Sequence, residues 1–235
     1  MWSYVQKIWK YKWITRSIIH SIYFNFHYLP LKQAIKLPII LYKPKLLKCK
    51  GKITIIGEIR TGMIQLGRNI VSIYPNSGFT YENKGGIITF CGNCIIGNNS
   101  FISIGKTGKV NFGKDFFATT TFKLICYNYI YFHDSVTVGW DCLFMDTDLH
   151  KMIKLSGGYT KGYGKIDIGN NNWFGTKSII LKNTVTPNFC TISAFSKLNR
   201  RYTLPEYSVI GTKNDIEVIA SGRYLNSKDN KITYE

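Results

Sequence analysis

Residues 166–198 read IDIGNNNWFGTKSIILKNTVTPNFCTISAFSKL, and this stretch has a period of six. The positions six apart are Ile168, Phe174, Ile180, Thr186, Ile192 and Leu198, and five of these six residues are large and apolar. An amphipathic helix repeats near 3.6 residues and a half-buried strand repeats at 2, so neither accounts for the pattern. A period of six instead predicts a solenoid of short straight segments joined by regular corners.

The corners of this solenoid are marked by small side chains. The fourth residue after the first five of these positions is Asn172, Ser178, Thr184, Cys190 and Ser196, in turn. A tight corner has room for a small side chain, whereas the large residues fill the interior. The pattern continues upstream through residues 132–144 and, in pieces, through 95–122. If about 18 residues make one three-sided turn, residues 51–211 form roughly eight coils.

The first fifty residues differ in composition from the rest of the chain. They hold ten Lys or Arg, no acid and three of the five tryptophans, while the whole chain has a formal net charge of +18. We expect one or two helices here, followed by a linker with breaks at Pro30, Pro38 and Pro44. No stretch reaches the roughly 18 apolar residues that span a bilayer, and the early lysines argue against a signal peptide.

Three interpretations of this basic, aromatic segment stay open. Cations with aromatic and aliphatic residues suit an anionic membrane surface, which we favour. Such a surface also binds phosphate backbones, although we expect no nucleic acid partner. Alternatively, the helix packs its aromatic residues on the end of the solenoid.

The six cysteines predict free thiols in a reducing compartment. Several of them occupy small corner positions, so packing explains them. Cys91 and Cys94 form a CxxC pair, but no second pair stands at metal-binding spacing. We therefore expect no metal site.

The best acid–base candidates stand where the period of six is interrupted. His150 follows Asp146 and Asp148. Directly after it, residues 151–165 contain four glycines and no carboxylate. We expect this segment to leave the coil as a loop and to turn the imidazole outward. A carboxylate on the far ring nitrogen would stabilise a histidine acting as a base. A structural histidine at the loop edge is the alternative.

The run MDTDLH, the glycine-rich loop and the repeats of residues 166–198 together resemble the hexapeptide-repeat acyltransferases, which have a left-handed parallel β-helix. The resemblance is most specific to the sugar and polysaccharide O-acetyltransferases, from about Trp140 to Ile219. It implies a mainly β fold with an N-terminal basic amphipathic helical segment and a protruding loop. It also implies acetyl-CoA as co-substrate and a homotrimer with active sites between subunits.

The resemblance also implies roles for individual residues. His150 would be the general base on an acceptor hydroxyl, and Asp146 or Asp148 would orient it. Trp173 would lie near the reacting end of the co-substrate, and Thr176 and Ala194 near its pantetheine arm. The basic position near its nucleotide end corresponds to Arg200, together with Lys197 or Arg201.

The predicted organisation has three parts: residues 1–50 as a membrane-surface or packing segment, 51–211 as the acyltransferase β-helix with loop 151–165, and 212–235 as a C-terminal segment and tail. The predicted function is acetyl-CoA-dependent O-acetylation of a sugar hydroxyl on a bacterial surface polysaccharide or its lipid-linked precursor. We expect the protein in the cytoplasm, peripherally bound to the inner face of the cell membrane. The alternatives are N-acetylation of an amino sugar and a non-catalytic solenoid that binds a membrane or a partner.

Overall fold

A computed structural model describes the backbone of residues 2–150, 152–153, 160–212 and 216–220, and the side chains of residues 14–150, 152–153 and 160–211. The chain begins with two helices, α1 (Trp2–Tyr28) and α2 (Leu31–Ala34). Twenty-two strands in three sheets follow in the described part of the chain. We call these sheets I, II and III.

Sheet I contains β1 (Ile39–Leu41), β4 (Ile64–Arg68), β7 (Cys94–Gly97), β10 (Phe116–Ala118), β13 (Thr137–Val138), β16 (Trp173–Phe174), β19 (Thr191–Ile192), β21 (Val209–Thr212) and β22 (Ile216–Ala220). Sheet II contains β2 (Pro44–Cys49), β5 (Phe79–Asn83), β8 (Ser100–Ile104), β11 (Lys123–Cys126), β14 (Leu143–Met145), β17 (Ile179–Leu181) and β20 (Lys197–Leu198). Sheet III contains β3 (Lys52–Ile55), β6 (Ile87–Phe90), β9 (Lys109–Phe112), β12 (Tyr129–Phe132), β15 (Ile166–Ile168) and β18 (Val185–Thr186).

The chain visits sheets I, II and III in turn. Neighbouring strands within each sheet come from successive coils and pair in parallel, except that β21 pairs antiparallel with β22. Seven coils and the first strand of an eighth result. This is the solenoid that the period of six predicts and the left-handed parallel β-helix that the resemblance implies. The cross-section is a triangle whose edges we name I–II, II–III and III–I after the sheets they join.

The interior confirms the predicted positions. All six residues counted in steps of six from Ile168 are buried, and so are the five small corner residues that follow them. Phenylalanines stack on one another along the core, for example Phe90, Phe112 and Phe132, whose adjacent ring centroids lie 5.2 and 5.5 Å apart. Each coil therefore places its large side chain over the one in the coil before.

The β-helix begins earlier than the predicted boundary at residue 51. β1 and β2 lie within the segment expected to be a helical region and linker, and they pair with β4 and β5. Pro38 and Pro44 are expected from the sequence to break a linker, but Pro38 immediately precedes β1 and Pro44 is the first residue of β2. Proline is tolerated at the start of a strand.

Helix α1 covers the open edge of β1 with a row of polar side chains. Asn25 accepts a hydrogen bond from the Ile39 N–H (3.1 Å) and donates one to the Ile39 carbonyl (2.7 Å). The hydroxyl of Ser21 accepts from the Leu41 N–H at 2.9 Å, and that of Ser17 accepts from the Lys43 N–H at 3.0 Å. The spacing of four residues puts these three side chains on one face of the helix. The helix thus satisfies a strand edge that would otherwise be unpaired.

A second side of α1, next to the polar row, is exposed and apolar. Ile18, Ile22 and Phe26 remain 55%, 43% and 48% exposed. The helix therefore packs on the solenoid with one face and leaves a second face available. Among the described residues, no helix is both long enough and apolar enough to cross a bilayer.

Candidate functional site

His150 lies on edge II–III, at the base of the predicted loop. The loop leaves after β14 and returns before β15, and its two ends pair with each other: the Asp148 N–H donates to the Gly162 carbonyl at 2.7 Å, and Thr147 bridges Tyr163. This pairing takes residue 150 out of the coil register, which would have turned it inward. The His150 side chain is accordingly exposed. Residues 151 and 154–159 of the loop lie outside the described residues.

Asp146 is buried and bonded to the backbone of the preceding coil. Its Oδ1 accepts a hydrogen bond from the Tyr127 N–H and its Oδ2 one from the Asn128 N–H, both at 2.8 Å. Cys126 Sγ also donates to Oδ2 at 3.2 Å. Burial, and after it the Asp146 carboxylate, raises the pKa of the Cys126 thiol far above its ordinary value. The Asp146 carboxylate therefore stabilises the corner at residues 126–128, and none of its described hydrogen bonds is to His150.

Asp148 is exposed and forms an ion pair with Lys182. Lys182 belongs to the next coil, directly after β17, so coil stacking brings it to the same edge as the loop base. The sequence pattern does not reveal Lys182, because it stands 34 positions from Asp148 and only the coil register relates the two. Asp148, Lys182 and His150 thus lie on the same edge, II–III.

Trp173, Thr176 and Ala194 lie elsewhere, on sheet I and edge I–II. Trp173 is in β16 between Thr137 and Thr191 and is 40% exposed. The Thr176 hydroxyl donates to the Trp140 carbonyl at 2.9 Å. Ala194 is exposed one coil after Thr176, so these two residues occupy the same edge.

The predicted cationic residues are divided between two places. Lys197 is exposed in β20 on sheet II, where it pairs with Ile179. Arg200 and Arg201 are exposed on edge II–III, two coils after the base of the loop. They therefore share an edge with His150 rather than with Trp173.

Within one chain, His150 and Trp173 lie on opposite sides of the β-helix. In a triangular cross-section the edge between sheets II and III faces away from sheet I. One chain consequently presents two separate groups of predicted site residues, one around His150 and one around Trp173. A single site that used both groups would need a second copy of the chain.

A second histidine forms a polar cluster on sheet III. His133 Nε2 and Asp167 Oδ1 are 3.1 Å apart, and Lys165 Nζ lies 2.8 Å from Asp167 Oδ2. The ring of Tyr131 packs on His133 with centroids 4.3 Å apart. These carboxylate contacts hold the His133 imidazole against the strands of sheet III.

The cysteines are free, and four of the six are buried, as corner packing predicts. Burial raises the pKa of the thiols of Cys142 and Cys190 to about 11, which leaves both protonated near neutral pH. In the part of the chain that is described, no group of three or more His, Cys, Asp or Glu side chains is arranged to hold a metal ion.

Comparisons with known proteins find similar solved structures. The polysialic-acid-specific acetyltransferase NeuO is 13% identical, over 80% of this chain and 91% of that chain, with a TM-score of 0.45. The polysialic acid O-acetyltransferase OatWY is 18% identical, over 79% and 73%, also with a TM-score of 0.45. A mutant of AntD, an N-acyltransferase from Bacillus cereus in complex with dTDP and coenzyme A, is 15% identical, over 83% and 91%, with a TM-score of 0.35.

No protein-family model matches the chain, and no curated protein matches it. The assignment of function therefore depends on the residues of the chain itself.

Proposed function

We propose that the protein is an acetyl-CoA-dependent O-acetyltransferase that acetylates a sugar hydroxyl of a bacterial surface polysaccharide or its lipid-linked precursor. The observation that carries the proposal is the exposed imidazole of His150 at the base of a loop that interrupts the β-helix. A coil residue in that register would point into the core. A solvent-exposed imidazole on the same edge as a charged pair is suited to proton transfer.

In the proposed reaction, His150 takes the proton from the acceptor hydroxyl as that oxygen attacks the thioester carbonyl. A tetrahedral oxyanion forms, and backbone N–H groups stabilise its charge. The carbon–sulfur bond then breaks, and the imidazolium returns its proton to the leaving thiolate. The products are the O-acetylated sugar and coenzyme A.

We assign the orienting role to Asp148 rather than Asp146. Both oxygens of Asp146 are engaged by backbone N–H groups in a buried corner, whereas Asp148 is exposed on the same edge as His150. Lys182 would hold the Asp148 carboxylate in place through its ion pair. Asp148 is therefore a positioning residue in this proposal.

The proposed active site combines two copies of the chain in a homotrimer. His150 of one copy would face Trp173, Thr176 and Ala194 of its neighbour, because one chain carries these groups on opposite sides. Arg200, with Lys197 or Arg201, supplies cations for the phosphates of the co-substrate. Cyclic symmetry would then generate three equivalent sites.

The experiment that tests this function measures thiol release from acetyl-CoA in the presence of candidate glycans. The wild-type protein should release coenzyme A only with an acceptor, and His150→Ala should lose about 10² to 10⁴ in rate. His133→Ala is the matched control, since His133 lies on sheet III in its own polar cluster. Equal rates for wild type and His150→Ala would exclude His150 as the base.

For location, we propose that the protein lies peripherally on the cytoplasmic face of the cell membrane through α1. The exposed residues Ile18, Ile22 and Phe26 offer an apolar surface, and Arg16 and Lys36 are exposed cations nearby in the chain. An apolar face accompanied by cations suits an anionic bilayer surface. The polar row on the other face of α1 keeps the helix attached to the solenoid.

A further inference from the structure

The three edges of the β-helix differ strongly in charge. In the described segments between the strands, edge II–III carries seven Lys or Arg and two carboxylates, whereas edge III–I carries two cations and four carboxylates. Edge I–II is intermediate, with two cations and one carboxylate. The cations of edge II–III are Lys50, Lys84, Lys106, Lys161, Lys165, Lys182 and Arg200, and Lys52 at the start of β3 and Arg201 in a bridge to β18 directly flank it. The positive charge of the solenoid is thus concentrated on the edge that carries His150.

The first three coils of this edge contain only Lys, Gly and Thr, in residues 50–52, 84–86 and 105–108. Backbone hydrogen bonds stack these segments: the Lys52 N–H donates to Gly86, and the Ile87 N–H donates to Gly108. Lys50, Lys52 and Lys106 are exposed, and none has a carboxylate within 4.0 Å in the described part of the chain. These cations are available to an anion from solution.

An aromatic ring lies on the edge between these lysines and His150. Tyr127, in the fourth coil, lies over Gly105, where a Cβ atom would stand 2.6 Å from the ring. Its hydroxyl accepts a hydrogen bond from Lys84 Nζ at 2.8 Å. The glycine therefore permits a ring to lie flat along the edge. The negative face of such a ring attracts the polarised C–H groups of a sugar.

We propose that coils one to three of edge II–III bind an acidic polysaccharide and guide it to His150, with Lys50, Lys52 and Lys106 as the anion-binding residues and Tyr127 of the fourth coil as a stacking surface. This deepens the proposed function and rests on it, because the bound polysaccharide is the acyl acceptor. Adjacent coils are about 4.8 Å apart, so Lys50 lies roughly 19 Å along the edge from the coil of His150. Only an acceptor of several sugars reaches that far.

An acidic glycan fits this surface better than a membrane. The three lysine-bearing segments expose no large apolar side chain that could enter a bilayer, whereas α1 does. A nucleic acid shares the negative charge, and the test below separates it from a glycan.

The test compares two double variants that each remove two positive charges. Lys50→Gln with Lys106→Gln changes the proposed surface. Arg68→Gln with Lys114→Gln changes one exposed cation at the end of β4, beside edge I–II, and one on edge III–I, and is the matched control. Both are measured without acetyl-CoA for direct binding to long polysialic acid and polygalacturonate, to their disaccharides, and to neutral dextran. A single-stranded oligonucleotide and phosphatidylglycerol vesicles are measured in the same way. Thermal unfolding checks that both variants remain folded.

We expect the Lys50/Lys106 variant to bind the long acidic chains about threefold to tenfold more weakly than wild type, with a smaller dependence on salt. The control should bind within about twofold of wild type, and the effect should vanish for disaccharides. Equal loss in both variants would overturn the proposal. A loss confined to a single-stranded oligonucleotide or to phosphatidylglycerol vesicles would also overturn it.

The binding measurement separates this inference from the proposed function. If the variant loses acidic glycan but wild type never releases thiol from acetyl-CoA, the edge binds glycan and the acyltransferase proposal fails. If thiol release depends on His150 and both variants bind glycan equally, the acyltransferase proposal holds and the role of the edge is refuted.

Discussion

The Oδ1 atom of Asp146 accepts a hydrogen bond from the backbone N–H of Tyr127, 2.8 Å away in the preceding coil. With Oδ2 bonded to the Asn128 N–H, this carboxylate fastens the corner before β12. The neighbouring acid, Asp148, instead lies exposed beside Lys182. Two aspartates separated by one residue therefore have different roles, and mutation can distinguish them.

Asp146→Ala should destabilise the protein by about 2–4 kcal/mol, because two backbone N–H groups lose their acceptor. Asp148→Ala should change the free energy of unfolding by less than about 1 kcal/mol, since an exposed ion pair contributes little. Denaturant unfolding measures both. In the acetyl-transfer assay, Asp148→Asn should lower kcat and leave KM nearly unchanged. A destabilised Asp148 variant with an unaffected Asp146 variant would reverse this assignment.

Asn25→Ala should also destabilise the protein, by about 2–4 kcal/mol, because the Ile39 N–H and carbonyl lose their partners at the edge of β1. Phe26→Ala is the control on the same helix, as its side chain is 48% exposed and should cost less than about 1 kcal/mol. Thermal or denaturant unfolding reports the difference. Equal stability of the two variants would mean that α1 does not secure the first coil.

Membrane binding should depend on the exposed face of α1. The double variant Ile18→Ser with Ile22→Ser should bind phosphatidylglycerol vesicles at least about tenfold more weakly, as measured by cosedimentation. Each apolar side chain that enters the bilayer contributes about 1–2 kcal/mol to the binding free energy. Ile73→Ser serves as control, since Ile73 is 77% exposed in the segment between β4 and β5. Undiminished vesicle binding by the double variant would exclude α1 as the membrane contact.

The period of six predicted the core accurately because each hexapeptide supplies one inward side chain and one small corner residue. It failed in the first coil, where β1 lies beneath a helix and Pro44 begins β2. The departure of the chain at His150 was also predictable, since a histidine in an inward register is costly to bury. The pairs Asp148–Lys182 and His133–Asp167 were not, because each joins residues 34 positions apart whose proximity comes from coil stacking.

The charge of edge II–III illustrates the same limit. Its cations are spread through the sequence between residues 50 and 201, and the short basic run KCKGK at residues 48–52 contains only those of the first coil. They form one surface only because successive corners stack. The sequence therefore reveals the total charge but not its concentration on the edge of His150.

The central claim is that His150 of one copy acts together with Trp173 of another, and mixing two inactive variants tests it most directly. His150→Ala and Trp173→Ala, each carrying a different tag, are unfolded and refolded together, and mixed oligomers are isolated through both tags. Each variant alone should release little thiol from acetyl-CoA. The isolated mixed trimers should recover roughly a third of wild-type activity per subunit, because one of the three sites in each combines an intact His150 with an intact Trp173. Mixed oligomers that remain as inactive as the separate variants would contradict the claim.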